Sequence, residues 1–297
     1  MDNYTSITKE NLEKRFEMTT DGVYHAHQPI YGYRTSKGST SGIARYMITK
    51  SILNAINKYN FKTFIDIGGA EGYTANLVKE IFKVEVKSTD LSENACKMAK
   101  AIFGIDAIPA DIHNLPFNDN EFDIVLCSET LEHVTDYKKA ILELLRITKK
   151  VLVVTVPHET EKIVAQNIKA KIPHAHIHYF DIRTLDYLKE RGYTLTYEKT
   201  LSPLLVIPRV IAEGYKKPNS KIHFKIYNFF TPIFRKLFGI KTANWFTNID
   251  VKMTKLFGLY QGITFTIAKE DASKRENVQT IKAENFTAIK VDEYKLK

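Results

Sequence analysis

Short strand-like segments alternate with helical patterns from Phe61 to Val156, and this alternation restricts the fold more than any other feature of the sequence. The strand-like segments are TFIDI, VEVKSTD, IDAIPAD, EFDIVLCSE and VLVVTVP. Helical segments lie between most of them, for example YTANLVKEIF, whose apolar residues fall on one face. Strands that alternate with helices predict an α/β protein in which helices cover both faces of a mostly parallel sheet.

The sequence around this core predicts further elements. A helix is expected at 43–58, and LSENACKMAKAIF should form a helix with Ser92 as its N-cap. The segment VTDYKKAILELLRITKK predicts a helix with lysines at its C-terminal end. FDIRTLDYLKERGY predicts a helix that ends at Gly192, and two more strands are expected in YTLTYEKT and at 263–269.

Composition indicates which partners and which cellular compartment the protein is expected to have. A formal net charge of +9 indicates an anionic partner such as nucleic acid, a membrane surface or an acidic metabolite, unless the chain is a cytosolic enzyme from a lysine-rich proteome. Cys96 and Cys127 form neither a disulfide framework nor a zinc ligand set, which fits a reducing compartment. The polar N-terminus has no signal-peptide pattern, and no apolar run approaches the ~20 residues of a membrane-spanning helix. We therefore expect a cytoplasmic protein.

A glycine-rich turn, DIGGAEG, follows the first predicted strand. It departs from the dinucleotide pattern G-x-G-x-x-G, because Ala70 and Tyr73 stand at its second and third glycine positions. Asp66 and Asp90 end the first two strands, and an acid at the end of the second strand commonly binds a ribose diol. Glu71 disfavours a pyrophosphate beside it. The predicted ligand is a nucleoside with a zwitterionic or cationic tail.

The turn resembles the D/E-x-G-x-G-x-G motif of class I S-adenosylmethionine-dependent methyltransferases, with Ala70 in place of the middle glycine. PADIHNLPFNDNEFDIVLCSETLEHV is similar to the next part of the methyltransferase type 11 subfamily, although the P-G-G that usually follows is absent. The resemblance covers 43–199 and the last strand. It implies a Rossmann-like, doubly wound, seven-stranded, mostly parallel sheet and S-adenosylmethionine as cofactor. A nicotinamide-dependent oxidoreductase is the alternative.

The same resemblance implies which residues bind the cofactor. Asp90 would contact the ribose and Asp111 the adenine amino group, with Ile112 packed nearby. The full expected set is Asp66, Gly68, Gly69, Ala70, Gly72, Asp90, Leu91, Asp111, Ile112 and Ser128.

Candidates for the chemistry follow the fourth and fifth strands, in SETLEHV, VPHE and HAHIHYF. Methyl transfer requires a positioned acceptor and, for a hydroxyl, removal of its proton. Histidine titrates near neutral pH and suits the second task. We expect His133, His178 and Glu132 to be the catalytic residues.

A divalent metal is the alternative interpretation of SETLEHV. Glu129 and Glu132 share a face of a helical turn with His133 beside them, and His176 could complete a ligand set. E-x-x-E-H with a distant histidine resembles the metal site of ubiquinone-biosynthesis O-methyltransferases and small-RNA 2′-O-methyltransferases, in which the metal holds the substrate hydroxyls. The competing interpretation is that L-E-H-V, which is common in this subfamily without a metal, uses its histidine for capping or packing.

The chain divides into five predicted segments. These are an N-terminal lid or substrate segment at 1–42, the cofactor-binding core at 43–200, an amphipathic helical cap at 201–260, the last core strand at 261–270 and a charged tail at 271–297. The apolar positions of the cap follow helical spacing at Ile222, Ile226, Phe229, Phe230, Ile233 and Leu237, with basic residues on the other side. Such a segment can lie on an anionic membrane or form the wall of an apolar pocket.

These observations predict a methyltransferase that acts on an oxygen of a small or lipid-like acceptor, with peripheral membrane contact through 216–257. Nucleic acid is an unlikely partner of the cap, because its aromatic residues form one apolar stripe rather than a stacking surface. The alternatives are a metal-assisted O-methyltransferase that acts on a catechol or a nucleic-acid ribose, and a non-catalytic relative that binds the nucleoside.

Overall fold

A computed structural model describes residues 3–17, 43–170, 175–205 and 241–286. Several predictions concern residues outside these ranges. They are those for 18–42, for the first histidine of HAHIHYF (His174), for the apolar stripe at 222–237 and for the end of the charged tail.

The described residues form one sheet of seven strands, as predicted. The strands are β1 Thr63–Ile67, β2 Glu85–Asp90, β3 Asp106–Pro109, β4 Phe122–Ser128, β5 Thr148–Pro157, β6 Thr194–Thr200 and β7 Gly262–Ala268. Their order is β3-β2-β1-β4-β5-β7-β6, and β7 runs antiparallel to both of its neighbours. Because β1 pairs with β2 on one side and β4 on the other, the order in which the chain adds parallel strands reverses there, and a crevice opens at the carboxyl ends of these strands.

The described α-helices pack on both faces of the sheet. They are α1 Asn3–Arg15, α2 Ile43–Ile56, α3 Tyr73–Phe82, α4 Glu93–Phe103, α5 Tyr137–Ile147, α6 Glu161–Ala170 and α7 Lys241–Phe257. One apolar core joins residues of α2, α3 and α7 to one face of the sheet, including Phe64, Leu126 and Val153. A second core joins α5 to the other face, including Val125 and Leu152. This alternation of buried side chains explains why the central strands are apolar throughout.

Capping residues in the sequence predicted some of the helix ends correctly. The Ser92 hydroxyl accepts a hydrogen bond from the Ala95 N–H at 3.1 Å, so the predicted N-cap of α4 is confirmed. The prediction that lysines end α5 is wrong. The helix stops at Ile147, and Lys149 and Lys150 lie on β5, which begins at Thr148 and pairs with β4. Pairing with the sheet therefore overrode the helical pattern there.

Two more predictions, for the parts of the chain after β5, can be compared with the structure. The expected helix before Gly192 is a 3₁₀ helix, Asp186–Arg191, which ends at Gly192 with φ of 86°. The described parts of the predicted cap are 201–205 and 241–260, and they include α7, which packs against α2 and β6. In the parts of the chain that the structure describes, every helix is too short or too polar to cross a bilayer.

Candidate functional site

A cleft with an empty volume of about 940 Å³ lies at the carboxyl ends of β1, β2 and β4. Its walls come from the glycine turn after β1, from the loop after β3, from residues 128–134 and from α1. Ligand sites of parallel sheets form at this end.

The glycine turn adopts left-handed backbone conformations at three positions. Gly68 has φ of 76°, Ala70 of 48° and Gly72 of 79°. The N–H groups of Gly68 and Gly69 both donate to the Thr89 carbonyl, at 2.8 and 2.9 Å. The turn therefore folds back onto the end of β2. Ala70 is the residue at which the sequence departs from the motif, and it adopts the left-handed conformation at a cost of about 1–2 kcal/mol.

Each glycine of the turn is needed for a different contact. A Cβ atom on Gly68 would lie 2.3 Å from the Thr130 hydroxyl oxygen, at the wall of the cleft. At Gly69 it would lie 2.2 Å from the Ser88 hydroxyl oxygen, and at Gly72 it would lie 3.0 Å from the Ala99 Cβ of α4. Gly68 thus shapes the cleft, whereas Gly69 and Gly72 pack the turn onto β2 and α4.

Asp90 connects the turn to the start of α4. Its Oδ2 accepts the Ala70 N–H at 3.0 Å, and its Oδ1 accepts the Ser92 N–H at 2.9 Å. Burial raises the pKa of Asp90 to about 6, and burial likewise raises the pKa of Asp66 to about 7. Each carboxylate oxygen of Asp90 has a further lone pair with which it can accept a hydrogen bond from a ligand.

The structure divides the expected cofactor residues into two groups. Those that line the cleft are Gly68, Ala70, Asp90, Leu91, Asp111, Ile112 and Ser128. Asp66 is only 2% exposed and lies behind the turn with Gly69 and Gly72. Asp111 also has a protein partner, since its Oδ1 lies 2.8 Å from His113 Nδ1.

Sequence reasoning did not name the residues of α1 that line the cleft. These are Tyr4, Thr5, Thr8, Leu12 and Arg15, followed by Phe16 just after the helix. They recur at helical spacing, but most are polar, so they produce no apolar stripe that would mark the face. Leu12 and Phe16, four residues apart, are the weak signal that could have indicated it.

Two neighbouring acids, Glu129 and Glu132, lie at the 128–134 side of the cleft. Glu129 has φ of 51°, and its Oε1 accepts a hydrogen bond from the Thr155 hydroxyl at 3.0 Å. Glu132 is 1% exposed, and no group in the described ranges bonds to its Oε2. Burial raises the pKa of both carboxyls, and repulsion from Glu129 raises the pKa of Glu132 further. A buried carboxyl next to a second, partly buried one favours a bound proton or a cation.

Two histidines lie beside these acids. His133 lines the cleft, with Nε2 3.7 Å from Glu132 Oε1 and Nδ1 3.3 Å from the Ala175 carbonyl oxygen. The His176 ring lies 5.0 Å from the His133 ring, and its Nδ1 is 3.1 Å from Glu159 Oε2. One ligand atom from each of Glu132, His133 and His176 lies within 4.8 Å of the other two. The fold thus brings together three of the four predicted metal ligands, and Glu129 lines the cleft next to them.

His178 is placed differently from the other two predicted catalytic residues. Its Nε2 lies 2.6 Å from the Val134 carbonyl oxygen, and its ring contacts Tyr137 and Phe180 edge-on. Since a carbonyl only accepts, Nε2 carries the proton. These contacts give His178 a packing role.

Comparison with known proteins gives one family match. The family model described as "Methyltransferase domain" matches residues 65–153. Norajmaline N-methyltransferase from Rauvolfia serpentina is 32% identical over 138 residues, 41% of this chain and 47% of that enzyme. An uncharacterised protein of Methanocaldococcus jannaschii is 32% identical over 185 residues, 58% of this chain and 75% of that protein. Demethylmenaquinone methyltransferase from Staphylococcus saprophyticus is 32% identical over 106 residues, 34% of this chain and 46% of that enzyme.

Solved structures share the fold at low sequence identity. Phosphoethanolamine N-methyltransferase 2 of Haemonchus contortus, in complex with S-adenosyl-L-methionine, superposes with a TM-score of 0.51 at 15% identity, covering 75% of this chain and 52% of that one. The [4+2]-cyclase SpnF superposes with a TM-score of 0.51 at 17% identity, covering 82% of this chain and 88% of that one. Because one of the two is named as a cyclase, the fold alone does not determine the reaction.

Proposed function

The chain belongs to the class I S-adenosylmethionine-dependent methyltransferases, and from this premise we propose that it methylates an oxygen atom of a small or lipid-like acceptor. The main support is one arrangement: a glycine turn without room for a side chain at Gly68 lies against Asp90, and His133 lines the same cleft. The curated enzymes it matches are covered over about half of their length, and their acceptors differ.

The residues at the turn fit S-adenosylmethionine. Asp90 offers carboxylate lone pairs for the ribose hydroxyls, and Leu91 and Ile112 offer apolar surface for the adenine. Burial has already raised the pKa of Asp90, so a positively charged ligand would favour its ionised form. The bound cofactor supplies an electrophilic methyl group on a sulfonium.

His133 is the candidate base. Its ring lines the cleft, and the neutral imidazole can take the proton of an acceptor hydroxyl as that oxygen is methylated. Glu132, 3.7 Å from Nε2, would stabilise the imidazolium that forms. A base is needed for a hydroxyl and less so for a neutral amine, which is why this arrangement favours oxygen.

Turnover of S-adenosylmethionine labelled in its methyl group tests the proposal, with catechols, quinols, alcohols and amines as acceptors. We expect O-methylated product, and we expect His133→Ala to lower kcat by about 10²–10⁴ without changing cofactor affinity. His158→Ala is the matched control, because that ring bonds the Phe180 carbonyl and stacks on Tyr260. Product methylated only on nitrogen would contradict the choice of oxygen. Binding without turnover on any acceptor would favour the non-catalytic alternative.

The acid–histidine cluster supports a second candidate, a metal-assisted O-methyltransferase. Glu132, His133 and His176 offer one carboxylate and two imidazole ligands close together, a set that suits a divalent transition metal. A cation would also offset the cost of burying Glu132 beside Glu129. Such an ion would hold substrate hydroxyls near the cofactor, which fits a catechol or a ribose diol.

Metal binding can be measured without an acceptor. Calorimetry with Mn²⁺ should give one site per chain, and Glu132→Gln or His176→Ala should weaken it at least 10-fold. Glu85→Gln, an exposed residue of β2, is the control. If Mn²⁺ does not bind and activity persists in chelator, the metal candidate is excluded and the base role of His133 remains.

A surface on α7 supports the lipid-like acceptor and contact with a membrane. Trp245, Lys252 and Leu256 recur at helical spacing on one face, and the side chains of Trp245 and Leu256 are 54% and 76% exposed. Phe257 next to them is 53% exposed. Exposed apolar residues beside lysines favour an anionic bilayer.

Sedimentation with anionic vesicles tests this contact. We expect binding that weakens with salt and is lost in the double variant Leu256→Asp, Phe257→Asp. Leu142→Asp on α5, where the side chain is 47% exposed, should have no effect. If the wild-type protein does not bind such vesicles at low salt, this part of the proposal is wrong.

A further inference from the structure

A carboxylate from α1 caps the N-terminus of α4. Glu13 Oε1 accepts the Glu93 N–H at 2.7 Å, and Oε2 accepts the Asn94 N–H at 3.0 Å. The Ser92 hydroxyl donates to the same Oε2 at 2.9 Å, and the Asn94 side-chain amide donates to the Glu13 carbonyl at 3.2 Å. Glu13 and Asn94 are separated by 81 residues, so this contact holds two distant parts of the chain together.

These bonds have a clear physical basis. The first N–H groups of a helix have no partner within it, and negative charge is stabilised at that end. Burial acts to raise the pKa of Glu13, but the hydrogen bonds from Glu93, Asn94 and Ser92 outweigh burial and place the pKa below its usual value. Glu13 is therefore ionised at neutral pH and bonded at both oxygens.

The capped helix end is also the cofactor end of the cleft. Ser92 donates its N–H to Asp90 and its hydroxyl to Glu13, so one residue joins the proposed ribose acceptor to α1. The side chains of Tyr4, Thr8 and Leu12 on α1 line the same cleft. Phe16 packs against Ala70 of the glycine turn and Ala95 of α4.

We propose that Glu13 is the positioning residue that holds α1, part of the N-terminal lid expected from the sequence, closed over the cofactor through the N-terminus of α4. The inference rests on the proposed function, because the lid closes on the cofactor site of that function. With α1 docked, the cofactor gains contacts with the α1 side chains that line the cleft. The docked helix also blocks the release of the cofactor on that side. Because the coupling is reciprocal, a bound cofactor stabilises the docked lid to the same extent.

The test compares Glu13→Ala with Glu10→Ala in the full chain. Glu10 lies on the same helix and pairs only with Lys14, at 2.7 Å and in an exposed position, so it is a matched control among the described contacts. S-adenosylhomocysteine is the probe, with calorimetry for Kd and stopped-flow fluorescence for the dissociation rate. Trypsin cleavage at Lys9, Lys14 and Arg15 reports the docking of α1.

We expect Glu13→Ala to raise Kd about 10-fold, mainly through faster dissociation, and to remove the protection of α1 by the probe. Glu10→Ala should match the wild-type protein in all three measurements. Phe16→Ala loosens α1 without touching the α4 cap, so it should act in the same direction if Glu13→Ala does not fold. Unchanged Kd, dissociation rate and protection in a folded variant would overturn the lid. Failure of the wild-type protein to bind the probe would instead overturn the proposed function.

Discussion

The glycine turn at 68–72 and the acid–histidine cluster of Glu132, His133 and His176 belong to the same end of the sheet, but different contacts assemble them. The turn is held by Thr89 and Asp90, which lie on the neighbouring strand about twenty residues away. The cluster depends on the segment at 175–178, which the Ile177 N–H attaches to the Glu132 carbonyl at 2.8 Å, across 45 residues. The turn is thus held by contacts between neighbouring strands, whereas the cluster forms only when distant parts of the chain pack together.

This difference bears on how easily each part of the cleft could change between proteins. A turn between adjacent strands carries its own geometry and can bind the same cofactor in many proteins. A site assembled from distant segments changes whenever one loop changes, and loops carry much of functional specificity. We therefore expect substitutions at the turn to affect cofactor binding and substitutions in the cluster to affect the reaction with the acceptor.

The largest effect should follow from Gly68→Val. The new side chain would collide with Thr130. A β-branched residue would also strain the backbone at φ of 76°. We expect binding of S-adenosylhomocysteine to fall by more than about 100-fold, measured by calorimetry on folded protein. Gly104→Val has a similar backbone strain at φ of 61° with open space around it, and it should bind normally. Normal binding by Gly68→Val would show that the turn is only structural.

Asp90→Asn should have the next largest effect. The amide keeps one acceptor oxygen but loses the charge that strengthens hydrogen bonds to the ribose and to the Ala70 and Ser92 N–H groups. The expected loss is about 2–3 kcal/mol of binding free energy, which is about 30- to 150-fold in Kd. Asp106→Asn, a 69% exposed acid on β3, is the control. Equal affinities for the two variants would remove Asp90 from the site.

Acidification should weaken cofactor binding by a smaller factor. The pKa of Asp90 is raised to about 6 by burial, so its carboxyl takes up a proton as pH falls from 7.5 to 5. The protonated form neither attracts a sulfonium nor accepts as strongly from the ribose, and we expect up to about 10-fold weaker binding at pH 5. Calorimetry across this range checks the direction, and Asp90→Asn should have a flatter profile. An affinity that rises on acidification would contradict the assigned role.

The pKa values also predict how stability depends on pH. A carboxyl whose pKa is higher in the folded state than in the unfolded state contributes stability at low pH, and this contribution is lost as pH rises through the folded value. For Asp66, with a pKa of about 7, the loss falls between about pH 4 and pH 7. Asp66→Asn should therefore gain stability relative to wild type as pH rises through this window, measured by urea unfolding. A constant difference between the two proteins would show that Asp66 does not titrate there.

The smallest expected effect is that of Glu132→Gln on cofactor affinity, which should stay within about twofold because the Glu132 side chain is buried and does not line the cleft. Its kcat should fall, since the support for His133 is lost. A large change in cofactor affinity would show that Glu132 also takes part in binding the cofactor.

The sequence predicted most of the residues at the strand ends that line the cleft, because their signals are local. Strand ends, turn glycines and the Ser92 cap can all be recognised within about thirty residues of Asp66. Glu13 could not be found in this way, because a glutamate on a mostly polar helix has no feature that indicates contact with Asn94. Lys149 and Lys150 were misplaced for a related reason, since only pairing with β4 shows that β5 begins at Thr148. The nearness of His176 to Glu132 likewise depends on a long-range contact.

The central claim is that this cleft binds S-adenosylmethionine through the turn and Asp90. Calorimetric titration of the wild-type protein with S-adenosylhomocysteine at pH 7.5 tests it most directly. The account predicts one site per chain with micromolar affinity or tighter, which corresponds to about −8 kcal/mol. Absence of binding at millimolar concentrations, or equal binding by Gly68→Val, would contradict it.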